Sequence, residues 1–336
     1  MDTIRVSAGS AAVLGLKRTK MAEADRPTTV HLLQHSLRGC AGNCAFCVQA
    51  KDSMHSKDAL SRVSWPEFPW PQVRSNISET YVRGTFSRVC LQSVVYPAFF
   101  KDLITTIQDV KGDQPGLQVS VAIPPLAMRA LEQIDAAGAD RVGIALDAAT
   151  PDLFSEIKGT LAKGPYTWEN HWKAIDAAMA VFGPGRVSTH LIVGLGEQPR
   201  DVLGLLQRVH DVGVTIGLFP FMPVAGTRLE HRPQPPLKYF RQMQIAKYLI
   251  DQGLITADLV TFNAGTGEID GWGMTQEAIE EIIRVANGAM FRTSGCPGCN
   301  RPYYTTSPRG PKYEYPAPID QDDVEAAVQA LFPETR

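Results

Sequence analysis

Three cysteines, Cys40, Cys44 and Cys47, stand within eight residues in the run GCAGNCAFCV at positions 39–48. A C-x3-C-x2-C spacing puts three thiols on one tight loop, enough to hold three corners of a [4Fe-4S] cube. Such clusters normally take four cysteine thiolates, so a three-ligand loop leaves one iron open to bind something other than protein. Other uses of the triplet fit less well. A structural zinc site wants four nitrogen or sulfur ligands, typically in two pairs, and no C-x2-C or H-x3-H partner follows at zinc-finger distance. Disulfide frameworks belong to short, cysteine-dense chains, whereas six cysteines in 336 residues is sparse.

A second motif, CPGC, carries Cys296 and Cys299. It is compatible with a redox pair, half a zinc site or the ligands of a second cluster. Thioredoxin-like chemistry expects the motif at the start of a helix, but Pro297, Gly298 and Asn300 do not favour one. Cys90 would bring the count to three, again one short of a cube. Arg292, Thr293 and Ser294 lie immediately upstream, and Ser294 is the candidate fourth ligand. Alone, Cys90 reads equally well as a small buried hydrophobe.

These residues need a scaffold that gathers them. Strand-like runs rich in β-branched or aromatic residues fall at 28–33, 87–93, 117–123, 140–147, 186–193, 214–221, 258–263 and 289–293. Amphipathic helical stretches lie among them at 97–110, 126–137, 170–182, 200–212, 238–252 and 275–286. This alternation predicts an α/β protein, a parallel (β/α)8 barrel of the TIM type. The expected organisation is an extension over 1–27, the barrel over 28–300, and a tail over 301–336 (with Pro302, Pro308, Pro311, Pro316 and Pro318) packing on it. Residues 50–83, with Trp65 and Trp70 among prolines, read as a surface insertion. Barrel sites form at the C-terminal ends of the strands. The triplet follows the first expected strand, Cys90 lies in the second, and Cys296 and Cys299 follow the eighth, so all six cysteines can share one cavity.

At 44% hydrophobic and 20% charged, the chain has the composition of a globular protein with a sizeable core. A formal charge of −2 gives no sign of a nucleic-acid partner. No apolar run approaches the length of a membrane span, and the basic residues near the N-terminus follow its apolar run instead of preceding it, unlike a secretory signal. The expectation is a cytoplasmic protein without nucleic-acid or membrane partners.

The triplet, with Phe46 just before its last cysteine, resembles the signature of radical S-adenosylmethionine (SAM) enzymes. That resemblance implies that the open iron chelates the amino and carboxyl groups of SAM, whose reductive cleavage yields a 5′-deoxyadenosyl radical. The stretch 40–286 resembles biotin synthase in particular, through RVCL at 88–91, Leu146-Asp147 and LIVGLGE at 191–197. This likeness implies that Phe46 and Ile192 lie near the adenine and Asp147 near the ribose, with Gly194, Gly196 and Glu197 in a cofactor-binding turn. Residue chemistry also allows Asp147 as a helix cap and the glycines as turn formers. The positions of the other three biotin-synthase cluster ligands hold Ser120, Ser188 and Thr266, and a hydroxyl replaces thiolate poorly on iron. His190 stands where that family usually has glycine. With Arg292 it is a candidate for the substrate cavity, or else a hydrogen-bonded core histidine.

The run RTSGCPGCNRPY at 292–303 resembles the archaeal-type two-component lipoyl synthases. What this implies is sulfur insertion into the octanoyl chain on a lipoyl-domain lysine, at C6 or C8, fed by an auxiliary [4Fe-4S] cluster on Cys90, Cys296 and Cys299. It also implies an octanoylated carrier domain or peptide, a second lipoyl synthase protein, and a ferredoxin or flavodoxin reductant. The Trp65–Trp70 segment would then be a carrier-docking surface. Two alternatives stand beside it: biotin synthase or another maturase or mutase of the same branch, and a non-catalytic Fe–S or zinc-binding barrel.

Overall fold

The computed structural model describes residues 2–19, 21–305 and 310–332. Pro308 of the expected tail lies outside the described residues. Six parallel strands form the centre of the sheet: β2 (Thr29–Gln34), β6 (Arg88–Gln92), β7 (Gln118–Ile123), β8 (Arg141–Ile144), β9 (Val187–Val193) and β10 (Thr215–Pro220). They neighbour one another in chain order. Helices connect them: α2 (Trp70–Val82), α3 (Phe99–Asp113), α4 (Met128–Ala136), α5 (Pro151–Ile157) with α6 (Trp168–Phe182), and α7 (Pro199–Asp211), while α8 (Leu237–Asp251) follows the last strand. Every residue of β2 is buried, as expected for a parallel strand covered on both faces.

Local signals account for the helix boundaries. Thr150, Thr167 and Thr275 each accept a main-chain N–H at a helix start, satisfying donors that a first turn leaves unpaired. At α7 the Gln198 and Asp201 side chains form a reciprocal capping box, with Pro199 in the first turn.

The barrel expectation needs correction. The ladder ends at β10 on one side, and on the other two antiparallel strands extend it: β1 (Thr3–Val6) beside β2, and β5 (Glu67–Pro69) beside β1. Among the described residues the sheet therefore has six parallel strands, not eight, and stays open. The seventh expected strand is instead a 3-10 turn at Ala257–Leu259 and a small antiparallel pair, β11 (Thr261–Phe262) with β12 (Ile269–Gly271). The eighth is a 3-10 turn at Ala289–Phe291, behind α9 (Gln276–Val285). Short apolar runs do not distinguish strand from other buried backbone.

Residues 50–83 are not a surface insertion. They hold the hairpin β3 (Ala59–Leu60) and β4 (Val63–Ser64), then β5, then α2, which buries Trp70, Val73 and Ile77 against the main core. The N-terminal stretch contributes β1 and the short α1 (Ala8–Val13), and α10 (Gln321–Leu331) packs Val324 and Val328 onto the same core.

Candidate active site

Side chains alternate along a strand, and one face of the sheet lines a cavity of about 260 Å³. His31 comes from β2, Cys90 and Gln92 from β6, Ser188, His190 and Ile192 from β9, and Gly217 and Phe219 from β10. Loops complete it with Phe46 and Cys47, Asp147, Phe221 and Met222, then Cys296, Cys299, Arg301, Tyr304 and Thr305. All six cysteines are free thiols. Cys47 from the triplet and Cys90, Cys296 and Cys299 from the second set thus meet at one cavity.

Main-chain bonds fix the triplet loop. Cys40 N donates to Gln49 O (2.8 Å), Ala41 N to Val95 O (2.8 Å) and Ala45 N to Ile157 O (2.7 Å). The Lys57 ammonium donates to the carbonyls of Val48 and Ala50 at 2.9 and 2.8 Å. Gly42 N and Val95 N both donate to Cys40 Sγ at 3.3 Å, the kind of bond that stabilises charge on cluster sulfur. A Cβ at Gly42 would come to 3.0 Å from the Tyr166 ring, so the ring packs closely on the loop there. Burial pushes the Cys47 thiol up to about 11 and the Cys44 thiol further, although Lys158 acts the other way on Cys44. Such thiols become ligands only when a metal offsets the cost of their charge.

Among the described residues no three His, Cys, Asp or Glu side chains converge on a point where one metal ion would sit. A cube takes its thiolates at separate corners, and three soft donors on a rigid loop fit that requirement.

Asp147 follows β8 with φ +65° and is 7% exposed. Its carboxylate accepts from Lys158 Nζ at 2.7 Å. Burial works against the Lys158 ammonium, but Asp147 together with the Cys44 and Cys47 thiols offsets it, leaving its pKa above the usual value. Phe46 and Ile192 both pack against the apolar cluster of Ile157, Leu195 and Phe221, and both line the cavity. His190 lies edge-on to Phe219 with ring centroids 5.0 Å apart, and burial lowers its pKa to about 4, so it is neutral near pH 7.

Other expected site residues lie elsewhere. Glu197 is consumed by its own turn, accepting from Gly194 N (2.6 Å) and Leu195 N (2.9 Å). Gly194 has φ +104°, and a Cβ there would come within 2.8 Å of Pro235. Gly194, Gly196 and Glu197 border a separate shallow depression beside Arg232 and Tyr239. Arg292 is exposed, on the outer side of the cysteine loop. Ser294 Oγ accepts from Leu218 N at 2.8 Å, which pins the loop to β10 and spends the proposed fourth ligand. Ser120 lies 3.9 Å from Cys296 Sγ, while Thr266 caps an exposed hairpin turn away from the cavity. Trp65 is fully buried and Trp70 is 6% exposed, so neither offers a docking surface.

Three cavity residues carry no local signal in the sequence. Arg301 reaches in over the Phe219 ring at 4.0 Å, donating to Ser294 O and Glu314. Tyr304 packs against His31 with centroids 5.3 Å apart. His31 lies in register with Cys90, which in turn lies in register with Ser120. A histidine inside an apolar strand looks like core until register places it beside a thiol.

No helix among the described residues is long and apolar enough to cross a membrane. The chain is 32% identical to GTP 3',8-cyclase of Picosynechococcus sp. over 136 residues, which span 40% of this chain but only 38% of that protein. It is 27% identical to biotin synthase of Synechococcus elongatus over 238 residues, 67% of this chain and 68% of the relative. Two solved structures share the fold. Methylornithine synthase (PylB) has a TM-score of 0.52 at 14% identity, covering 72% of this chain and 66% of that one. The FeFe-hydrogenase maturase HydG of Carboxydothermus hydrogenoformans has 0.51 at 14% identity, covering 64% and 50%. The Radical SAM superfamily profile matches residues 36–209, more than half of the chain and including the whole cysteine triplet. The protein is a member of the radical SAM superfamily, whose enzymes use a [4Fe-4S] cluster and SAM.

Proposed function

We propose that this radical SAM enzyme inserts sulfur into an unactivated C–H bond of an octanoyl chain held in amide linkage on a lipoyl-domain lysine. One observation carries the reading: Cys90, Cys296 and Cys299 come from β6 and from the segment behind α9 to line the same cavity as Cys47. Sulfur insertion needs a sulfide source beside the reaction space, and a second trio of thiols facing the cavity is where a cluster could supply it. Bound at the triplet, a [4Fe-4S] cluster with SAM supplies hydrogen abstraction, and an auxiliary cluster on the second trio supplies sulfide. Each new C–S bond would replace a C–H bond: the hydrogen would leave to the SAM-derived radical, the electron released as sulfide joins carbon would pass to the auxiliary cluster's iron, and the electron for SAM cleavage would come from a reduced ferredoxin or flavodoxin.

The chain's own residues suit a saturated acyl guest. Leu60, Ile192, Phe219, Phe221 and Met222 give the cavity an apolar wall, against which a hydrocarbon gains from leaving water. Neutral His190 adds no charge that the acyl chain would have to meet. Tyr304 and Thr305 close one side, and excluding water protects a carbon radical from side reactions. A second synthase protein would make the other C–S bond.

The test is mass spectrometry of an octanoyl-lysine peptide after anaerobic incubation with reconstituted protein, SAM and dithionite, with and without a partner synthase and pre-thiolated peptide. The expected result is a sulfur-sized mass gain that Cys296→Ala/Cys299→Ala abolishes. If 5′-deoxyadenosine forms while every peptide stays unmodified, the substrate assignment is wrong. The protein would then be another biotin synthase-like enzyme, a reading favoured by its 27% identity to biotin synthase.

A further inference from the structure

Three cysteines leave the auxiliary cluster one protein ligand short, and the structure removes the candidate that the sequence suggested. Ser294 is bonded to β10 and does not line the cavity. Ser120 Oγ accepts from Arg88 at 2.8 Å, and hydroxyl oxygen is a hard donor for iron. Arg301 is a donor-only cation, with Nη1 on Ser294 O and Nη2 on Glu314.

We propose that His31 is the fourth protein ligand of the cluster held by Cys90, Cys296 and Cys299, binding through Nε2. This assignment rests on the auxiliary-cluster reading above. Register supplies the first argument. His31 pairs with Cys90 across β2 and β6, and residues in register on neighbouring parallel strands point to the same face about 4.8 Å apart. Contact supplies the second: Nε2 lies 3.6 Å from Cys299 Sγ. One imidazole therefore neighbours two of the three thiols, contributed by different parts of the chain.

The ring is also held. Tyr304 packs on it, and Trp65 packs edge-on against Tyr304 with centroids 5.9 Å apart. The cysteine loop is clamped to the start of β2, with Asn300 accepting from Thr28 N at 3.0 Å and donating to Arg26 O at 2.7 Å. Imidazole binds metal in its neutral form, through a ring nitrogen such as Nε2. Two histidines replace two thiolates in Rieske centres, with a raised potential. The same substitution at one corner here would ease reduction of a cluster meant to yield sulfide.

The test uses the full chain carrying Cys40→Ala, Cys44→Ala and Cys47→Ala, so that only auxiliary iron remains. It is reconstituted anaerobically without SAM, reduced with dithionite, and examined by iron counting and pulsed EPR with and without histidine-specific ¹⁵N labelling. The expected result is four irons per chain with a nitrogen coupling that responds to ¹⁵N-histidine and is lost in His31→Ala. His31→Cys should keep the irons, lose the coupling and lower the midpoint potential. Four irons with a spectrum blind to the label would overturn His31 while leaving the auxiliary cluster intact. No iron in a variant whose circular dichroism matches wild type would overturn the auxiliary cluster, and His31 with it. Should the triple variant not fold, the same isotope comparison on wild-type protein decides the matter: a response supports His31 and its absence refutes it.

Discussion

Asp147 holds a left-handed conformation that costs a non-glycine residue about 1–3 kcal/mol, and it persists because its surroundings fix it. Its N–H donates to His190 O, its carbonyl accepts from Ile192 N, and its carboxylate meets Lys158. Neither partner of that ion pair is more than 9% exposed. Breaking a buried pair from one side strands a charge at a cost of about 3–5 kcal/mol. Lys158→Met should therefore lower unfolding stability by that order in a urea titration, whereas changing the half-exposed Arg186 that pairs with Asp135 should cost about 1 kcal/mol or less. Buried histidines give a pH dependence of definite sign. Burial lowers the pKa of His171 from 6.5 to about 3, so below pH 6.5 the unfolded chain takes up a proton that the folded chain refuses. Stability is then complete above about pH 6.5 and falls as pH drops toward 3, by at most about 1.4 kcal/mol per pH unit per such group. His171→Phe should flatten the acid limb of a thermal-melt series in apo-protein.

Elements decide what the residues can reach. The turn after β9 was expected to touch the cofactor, yet its glycines serve the chain: Gly194 lies against Pro235 and Gly196 beside Arg232. Gly194→Ala adds a clashing Cβ at a φ that L-residues avoid, and should cost about 1–3 kcal/mol, seen as a lower Tm with unchanged iron content. The missing seventh and eighth strands teach the same lesson. Residues 258–263 and 289–293 carry strand-like composition, but the first closes on its own hairpin and the second turns at Gly288, which has φ +63°. Six long alternations were legible because each pairs a buried run with an amphipathic helix. Two short ones were not, because β composition describes burial as much as strand pairing.

For the molecule as a whole, the chain termini matter more than an extension and a tail would suggest. Beginning with β1, the N-terminal stretch continues the sheet beyond β2. From the other end come Arg301, Tyr304 and Thr305 as cavity wall, and the buried Glu314 that braces Arg301. Trp65, read as a docking element, packs instead behind Tyr304 and His31. Opening that wall should admit water to the reaction space. Under the proposed sulfur insertion, Tyr304→Ala is expected to raise the ratio of 5′-deoxyadenosine to thiolated peptide several-fold, measured by chromatography and mass spectrometry in the same reaction, while leaving SAM cleavage itself in place.

The radical chemistry was written in the sequence because three ligands on an eight-residue loop are local: spacing alone brings the thiols of Cys40, Cys44 and Cys47 together. Spacing cannot bring together residues more than 200 positions apart, and here only the sheet does so. Register set His31 beside Cys90, the clamp of Asn300 on Thr28 carried Cys299 to both, and the bare Gly295 left room for the Arg301 guanidinium that donates to Ser294 O. Ser294 and Glu197 had the right chemistry at plausible positions, but main-chain groups reached them first. A side chain's type is a property of the sequence, whereas its freedom to act depends on which partners the tertiary structure has already given it.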